Sequence, residues 1–121
     1  MEEKRQHKRV YFSIDEDYVL EIESKESLKA RLLSLSEGGI SFFVPLSRKK
    51  FFKKDDIIFL KILKSDDYIL VDRPVSLSVR YCMESHEGNK LIVGCKFLDL
   101  PEDLKNKVRK LVEEKADKLP F

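Results

Sequence analysis

The sequence predicts a small all-β domain, an antiparallel barrel or sandwich of six or seven strands, followed by one α-helix. Six stretches between Val10 and Phe97 either alternate apolar with polar residues or are rich in β-branched and aromatic residues, as strands are. Short polar connections containing Ser, Asp and Gly separate these stretches, and such residues favour turns. After Phe97 the apolar residues recur with the period of a helix.

Three strands are predicted in the first half of the domain. Residues 18–23 and 28–32 alternate in side-chain character, and the polar link 24–26 between them suits a hairpin turn. The third stretch, residues 40–44, is rich in β-branched and aromatic side chains. Pro45 ends it because proline cannot donate to a strand ladder.

Three further strands are predicted in the second half. Residues 57–63 form an almost continuous apolar run, and residues 91–97 form the last strand. The polar links 65–67 and 87–89 provide turn residues. The middle strand alternates cleanly, and its apolar residues are Val75, Leu77, Val79 and Tyr81.

A helix is predicted over about residues 100–119. Asp99 is its expected N-cap, with Glu102 completing a capping box, Pro101 in the first turn and Pro120 ending the helix. The helix either packs on the barrel as a lid or contacts a partner or a second copy of the chain. Its apolar stripe consists of Leu100, Leu104, Val108, Leu111, Val112 and Leu119.

The overall composition sets limits on the class of protein. A chain of 121 residues suits one domain. Its 24 Lys and Arg residues nearly balance its 22 Asp and Glu residues, so the net charge of +2 gives no indication of a nucleic-acid-binding protein. No stretch reaches the roughly 18–20 apolar residues of a membrane span, and the N-terminus is charged. We therefore expect a cytoplasmic protein.

The sequence presents no catalytic or metal-binding set. Cys82 and Cys95 do not form a CxxC pair, and we expect both to be free, buried thiols. His7 and His86 lie in the N-terminal segment and in a predicted loop, where solvated side chains are expected. No nucleophile is paired with a base, so we predict that the protein is not an enzyme and holds no metal.

Two segments can recognise anions. Residues 1–9, the N-terminal arm, are expected to be a flexible basic extension of the domain formed by residues 10–121, and they contain Arg5 and Arg9. A guanidinium group can donate two parallel hydrogen bonds to a phosphate. Residues 34–39, the glycine turn, combine serine hydroxyls with two glycines that allow positive φ and close backbone approach.

Together these segments resemble the PilZ domain signature, RxxxR followed by (D/N)xSxxG. Residues 92–97 resemble the family's late strand, in which a Gly is followed three positions later by a Phe, and the terminal helix is also similar. The resemblance extends from Arg5 to about Lys118. It implies a six- to seven-stranded antiparallel barrel with a C-terminal helix. It also implies a bacterial second-messenger receptor for cyclic di-GMP that signals through an unidentified protein partner.

The resemblance also assigns roles to residues. The arginines bind phosphates and stack on guanine, the serine and glycine of the turn shape the ligand bed, and the residue at position 34 reads a guanine edge. The residues assigned to the ligand are Arg5, Arg9, Ser34, Ser36 and Gly39, with Lys4 and Gly38 as accessory residues.

Ser34 departs from the family pattern, which has Asp or Asn at this position. A serine hydroxyl offers guanine one uncharged contact, whereas a carboxylate accepts two hydrogen bonds. Losing a charged hydrogen bond costs about 1.5–3 kcal/mol, which lowers affinity about 10–100-fold. Ser34 therefore supports an alternative function, a degenerate PilZ-like adaptor that binds proteins and no nucleotide.

The segment 48–54 is basic and contains Phe51 and Phe52. It could bind single-stranded nucleic acid or an anionic membrane surface. The favoured interpretation is a charged loop whose phenylalanines cover one end of the barrel, so nucleic acid is an unlikely partner. The sequence is compatible with a monomer or a homodimer.

Overall fold

The computed structural model describes residues 8–13, 16–85 and 88–117. This part of the chain contains eight strands and one α-helix. The elements are β1 Val10–Tyr11, β2 Val19–Glu23, β3 Ser27–Leu35, β4 Gly39–Pro45, β5 Ile57–Lys64, β6 Ile69–Val71, β7 Val75–Glu84, β8 Lys90–Phe97 and α1 Glu102–Asp117.

Six of the strands form a closed antiparallel barrel. Around the barrel they follow the order β3-β2-β5-β7-β8-β4, and β4 pairs with β3 to complete the circle. β1 pairs with residues 34–35 of β3, beyond the part of β3 that pairs with β2, and β6 pairs with β5. Closure leaves none of the six strands with an unpaired edge. The predicted barrel with a C-terminal helix is confirmed.

The barrel interior is filled by the predicted apolar positions. Leu20 and Ile22 of β2 and Leu77 of β7 are at most 1% exposed, because alternate side chains of a strand point to the same face. Phe42 of β4 is also completely buried.

The alternation predicted for β7 is wrong at Tyr81, which was expected to face inward with Val75, Leu77 and Val79. The register between β7 and β8 shifts between Val79 and Tyr81, which marks a bulge. A bulge inserts one extra residue and thereby moves the following side chains to the other face. Tyr81 is consequently 43% exposed on the outside, with its ring over Gly94, where an added Cβ would lie 2.2 Å from a ring carbon.

The helix α1 packs on the barrel through its apolar stripe, since Leu104, Val108 and Val112 are all buried. The lid interpretation is therefore supported, while the predicted stripe residue Leu119 and the predicted terminator Pro120 lie outside the described residues.

The N-cap prediction for α1 is wrong. The helix begins at Glu102, and the Pro101 carbonyl accepts a hydrogen bond from the Lys105 N–H at 2.8 Å. The Asp99 carboxylate instead accepts a hydrogen bond from the Ser76 N–H at 3.0 Å. This bond links the segment that follows β8 to the start of β7.

The basic segment 48–54 closes one end of the barrel. Leu46–Phe51 forms a 3-10 helix, and Phe51 and Phe52 are 9% and 4% exposed. The ring of Phe52 meets Phe42 edge-on at 6.2 Å. Buried phenylalanines are not available to stack on bases or to enter a membrane, so the capping interpretation is supported.

Truncating Leu104 to alanine should destabilise the protein by about 2–5 kcal/mol, because it removes a completely buried side chain and leaves a cavity under α1. Urea unfolding followed by circular dichroism measures the effect. Glu113→Ala, on the exposed side of the same helix, is the control and should change stability by less than about 0.5 kcal/mol. Equal effects of the two variants would contradict the packed helix.

Candidate functional site

The glycine turn connects β3 to β4 and is organised by Ser36. The Ser36 N–H donates to the Gly39 carbonyl at 2.9 Å, as in a hairpin connection. The Ser36 Oγ accepts hydrogen bonds from the N–H groups of Gly38 at 3.2 Å and Gly39 at 3.1 Å. Ser36 is 3% exposed. Its hydroxyl therefore satisfies the backbone of the turn, a common role for serine in turns.

Gly39 is required by the close approach of β4 to β8. A Cβ at this position would lie 2.5 Å from the carbonyl oxygen of Cys95, a backbone atom that cannot move aside. The Phe97 N–H donates to the Gly38 carbonyl at 3.0 Å and fastens the turn to the end of β8. Gly38 and Gly39 do not use the positive φ that glycine permits, and among the described glycines only Gly88 adopts it, with a φ of +93°.

The structure brings Arg9 to the β3–β4 hairpin. Arg9 directly precedes β1, which pairs with β3 so that Tyr11 lies opposite Ser34. The Arg9 Nη1 donates to the Ser34 Oγ at 3.1 Å, although the two residues are 25 positions apart. Arg5 and Lys4, the other arm residues assigned to the ligand, lie outside the described residues, as do His7 and His86.

Ser34 has a second partner, Ser41 of β4. Their Oγ atoms are 2.5 Å apart, and both residues are 1% exposed. No sequence pattern indicated Ser41, because a single serine in an apolar strand carries no information until its cross-strand neighbour is known.

A row of side chains crosses the outer face of the barrel at this level. The strand registers place Tyr11 opposite Ser34, Ser34 opposite Ser41, Ser41 opposite Gly94, and Gly94 opposite Tyr81. The three central residues are small, and the tyrosines at the ends are 62% and 43% exposed. The three central residues of this serine row are buried, and the Tyr81 ring covers Gly94.

Beside the serine row lies a basic groove of about 460 Å³. Arg31 and Phe43, which line it, pair on the same two strands as Ser34 and Ser41. The Lys90 Nζ lies 5.5 Å from the centre of the Phe43 ring. The cationic side chains lining the groove are Lys29, Arg31 and Lys90. The groove could not be predicted from the sequence, because its lining residues are far apart along the chain.

The helix α1 also reaches the glycine turn. Arg109 donates to both carboxylate oxygens of Glu37, from Nε and from Nη2, each at 3.0 Å. Its Nη1 donates to the Asn106 side chain at 2.9 Å. The hydrogen bond to Glu37 raises the pKa of Arg109 above its ordinary value. This pair was missed because its members are 72 positions apart and neither belongs to a motif.

Within the described residues, no three His, Cys, Asp or Glu side chains cluster as metal ligands would. Cys82 and Cys95 are both free, and Cys95 is buried as predicted whereas Cys82 is half-buried. Burial raises the pKa of the Cys95 thiol to about 12, so it is neutral at pH 7 and a poor nucleophile. Among the described residues, no helix has the length and apolar character needed to cross a membrane.

Comparison with known families agrees with the observed fold. The model of the PilZ domain matches residues 3–114 of the chain. The chain belongs to the PilZ domain family. No curated protein matches the chain in sequence at a significant level.

Solved structures share the PilZ fold at low sequence identity. The Bacillus subtilis inhibitor of motility MotI/DgrA has a TM-score of 0.77 at 14% identity, covering 98% of this chain and 54% of that one. The K. pneumonia MrkH–c-di-GMP complex has a TM-score of 0.73 at 18% identity, covering 96% and 56%. The PilZ domain of Escherichia coli YcgR with c-di-GMP has a TM-score of 0.70 at 14% identity, covering 97% and 100%. The chain thus spans about half the length of the first two proteins.

Gly39→Ala should destabilise the PilZ domain by about 1–3 kcal/mol, because the added methyl forces β4 away from the Cys95 carbonyl. Urea unfolding measures the loss, and amide hydrogen exchange should locate it at the β4–β8 pairing. Unchanged stability would show that the close approach is absent.

Proposed function

We propose that this PilZ protein is a receptor for cyclic di-GMP. Binding of the ligand would order the N-terminal arm over the barrel, and the protein would then signal through contacts with another protein. The observation that supports this most is the hydrogen bond from Arg9 to Ser34, at 3.1 Å. It joins the arginine motif to the glycine turn on one side of the barrel. The solved complexes of MrkH and of the YcgR PilZ domain with c-di-GMP lend further support.

Arg9 is suited to hold a phosphate at this place. A guanidinium carries five N–H donors, and the bond to Ser34 uses one of them. The remaining donors can form charge-assisted hydrogen bonds to a phosphate above the serine row. Arg5 would supply the second arginine and Lys4 further positive charge from the arm.

The other residues of the turn would act by shaping the bed. The Ser36 hydroxyl accepts hydrogen bonds from the turn's own amides, and Gly39 lies against β8. The small, buried side chains of the serine row would lie beneath the ligand bed and would not contact the ligand themselves. The exposed rings of Tyr11 and Tyr81 could stack against guanine, since aromatic rings stack on any base.

Ser34 would act mainly on Arg9. Its hydroxyl contacts both Arg9 and Ser41 while being 1% exposed, which leaves little of it for a guanine edge. We infer that it holds the guanidinium in position. The basic groove with Arg31, Phe43 and Lys90 would accommodate the part of the ligand that extends beyond the serine row.

This function is that of a ligand-binding receptor and not of an enzyme. Cyclic di-GMP is a bacterial intracellular messenger, so the proposal also places the protein in the bacterial cytoplasm.

Replacing Arg9 by alanine should weaken binding of cyclic di-GMP about 10–100-fold, because a charge-assisted hydrogen bond to phosphate is lost. Isothermal titration calorimetry of the whole chain measures this. The matched control is Lys53→Ala, which removes the same charge from an exposed position in segment 48–54. No binding by the parent, or equal loss in both variants, would refute the receptor function.

The adaptor that binds no nucleotide remains the second candidate, and Ser34 is the observation that favours it. Ser34→Asp separates the two functions. One oxygen of a carboxylate at this position could accept a hydrogen bond from Arg9 while the other accepts from a guanine edge, so we expect affinity for cyclic di-GMP to rise about 10–100-fold. Ser34→Ala controls for burial, and thermal unfolding confirms that the variants fold.

The outcome for the parent protein decides between the candidates. A receptor binds before the change and more tightly after it. An adaptor binds only after the change. Unchanged or weaker binding by Ser34→Asp would show that position 34 does not limit affinity.

A further inference from the structure

The glycine turn contains a negative charge that an anionic ligand would have to approach. Glu37 lies between Ser36 and Gly38, so its Cα is about 3.8 Å from the Cα of each of them. A cyclic dinucleotide carries two phosphate charges. Charges interact over roughly 8–10 Å at physiological salt. A carboxylate in the turn whose charge is not neutralised would therefore repel an anionic ligand bound at the turn.

Arg109 of α1 is placed to cancel this charge. Its Nε and Nη2 donate to the two oxygens of Glu37, and both distances are 3.0 Å. The Asn106 side chain fixes the third guanidinium nitrogen. The Glu37 side chain is only 22% exposed, so water screens it less than it screens a free surface carboxylate.

We propose that Arg109 is a positioning residue for the anionic ligand, acting by neutralising Glu37 and holding it away from the ligand bed. Arg109 belongs to the terminal helix and to neither half of the PilZ signature. The proposal rests on the receptor function proposed above and adds a dependence of affinity on α1.

A second contact on the same helix supports this dependence. Lys115 forms an ion pair with Glu16, and its Nζ lies 4.8 Å from the centre of the Phe12 ring. Phe12 directly follows β1, and Arg9 directly precedes the same strand. One helix therefore contacts both the glycine turn and the segment that follows the N-terminal arm.

A four-variant comparison tests the proposal. Cyclic di-GMP binding is measured by calorimetry for the parent, Arg109→Ala, Glu37→Gln and the double variant. We expect Arg109→Ala to weaken binding about 10-fold, because the Glu37 carboxylate loses two charge-assisted hydrogen bonds and the neutralising charge of the guanidinium. Glu37→Gln should bind as well as the parent or better, and the double variant should return to within about 3-fold of the parent.

The double variant distinguishes charge from architecture. If Arg109 acted only as a structural tether, removing Glu37 as well could not restore binding, and that result would overturn the proposal. Rising salt should also shrink the defect of Arg109→Ala, since screening weakens repulsion by Glu37. A defect that salt does not change would contradict the electrostatic role.

Inorganic pyrophosphate separates this inference from the receptor function. Its effect on the amide resonances of Gly38 and Gly39 reports attraction of an anion to the turn without nucleotide recognition. If the parent does not bind cyclic di-GMP, the receptor function fails. The inference still stands if pyrophosphate shifts these resonances in the parent, less in Arg109→Ala, and again in the double variant. No shift in any variant would overturn it.

Discussion

The pairing of β3 with β4 is the constraint on which the rest of the molecule depends. It closes the barrel, and the same hairpin carries the glycine turn and places Ser34 beside Ser41. The hairpin is held on its other side by β8, whose backbone comes so near that Gly39 has no room for a side chain. Because one seam serves both closure and the site, a change that weakens this pairing should disturb both.

Much of this fold could be predicted from local patterns, because strand alternation and helix period follow directly from which side chains face the core. Where the patterns failed, a distant partner decided the outcome. Tyr81 faces outward because of a bulge opposite β8, and Asp99 is engaged by Ser76 instead of capping α1. Neither the bulge nor the Asp99–Ser76 hydrogen bond can be recognised from the residues next to it in the sequence.

The candidate site divides in the same way. The motifs indicated Arg9, Ser34, Ser36 and Gly39, and the structure groups these residues around one hairpin. It also changes how they are understood, since the serine hydroxyls are engaged within the protein. The pairing of Arg109 with Glu37 and the basic groove could not be predicted from the sequence, because each is formed by residues that are brought together only in the folded protein.

The attachment of α1 to the turn has a consequence for partner proteins. Thermodynamic coupling between two sites is reciprocal. On the role proposed for Arg109, a partner that binds α1 and draws Arg109 away from Glu37 would lower the affinity for cyclic di-GMP by some factor. The ligand must then lower the affinity for that partner by the same factor, so competition between them requires no shared surface.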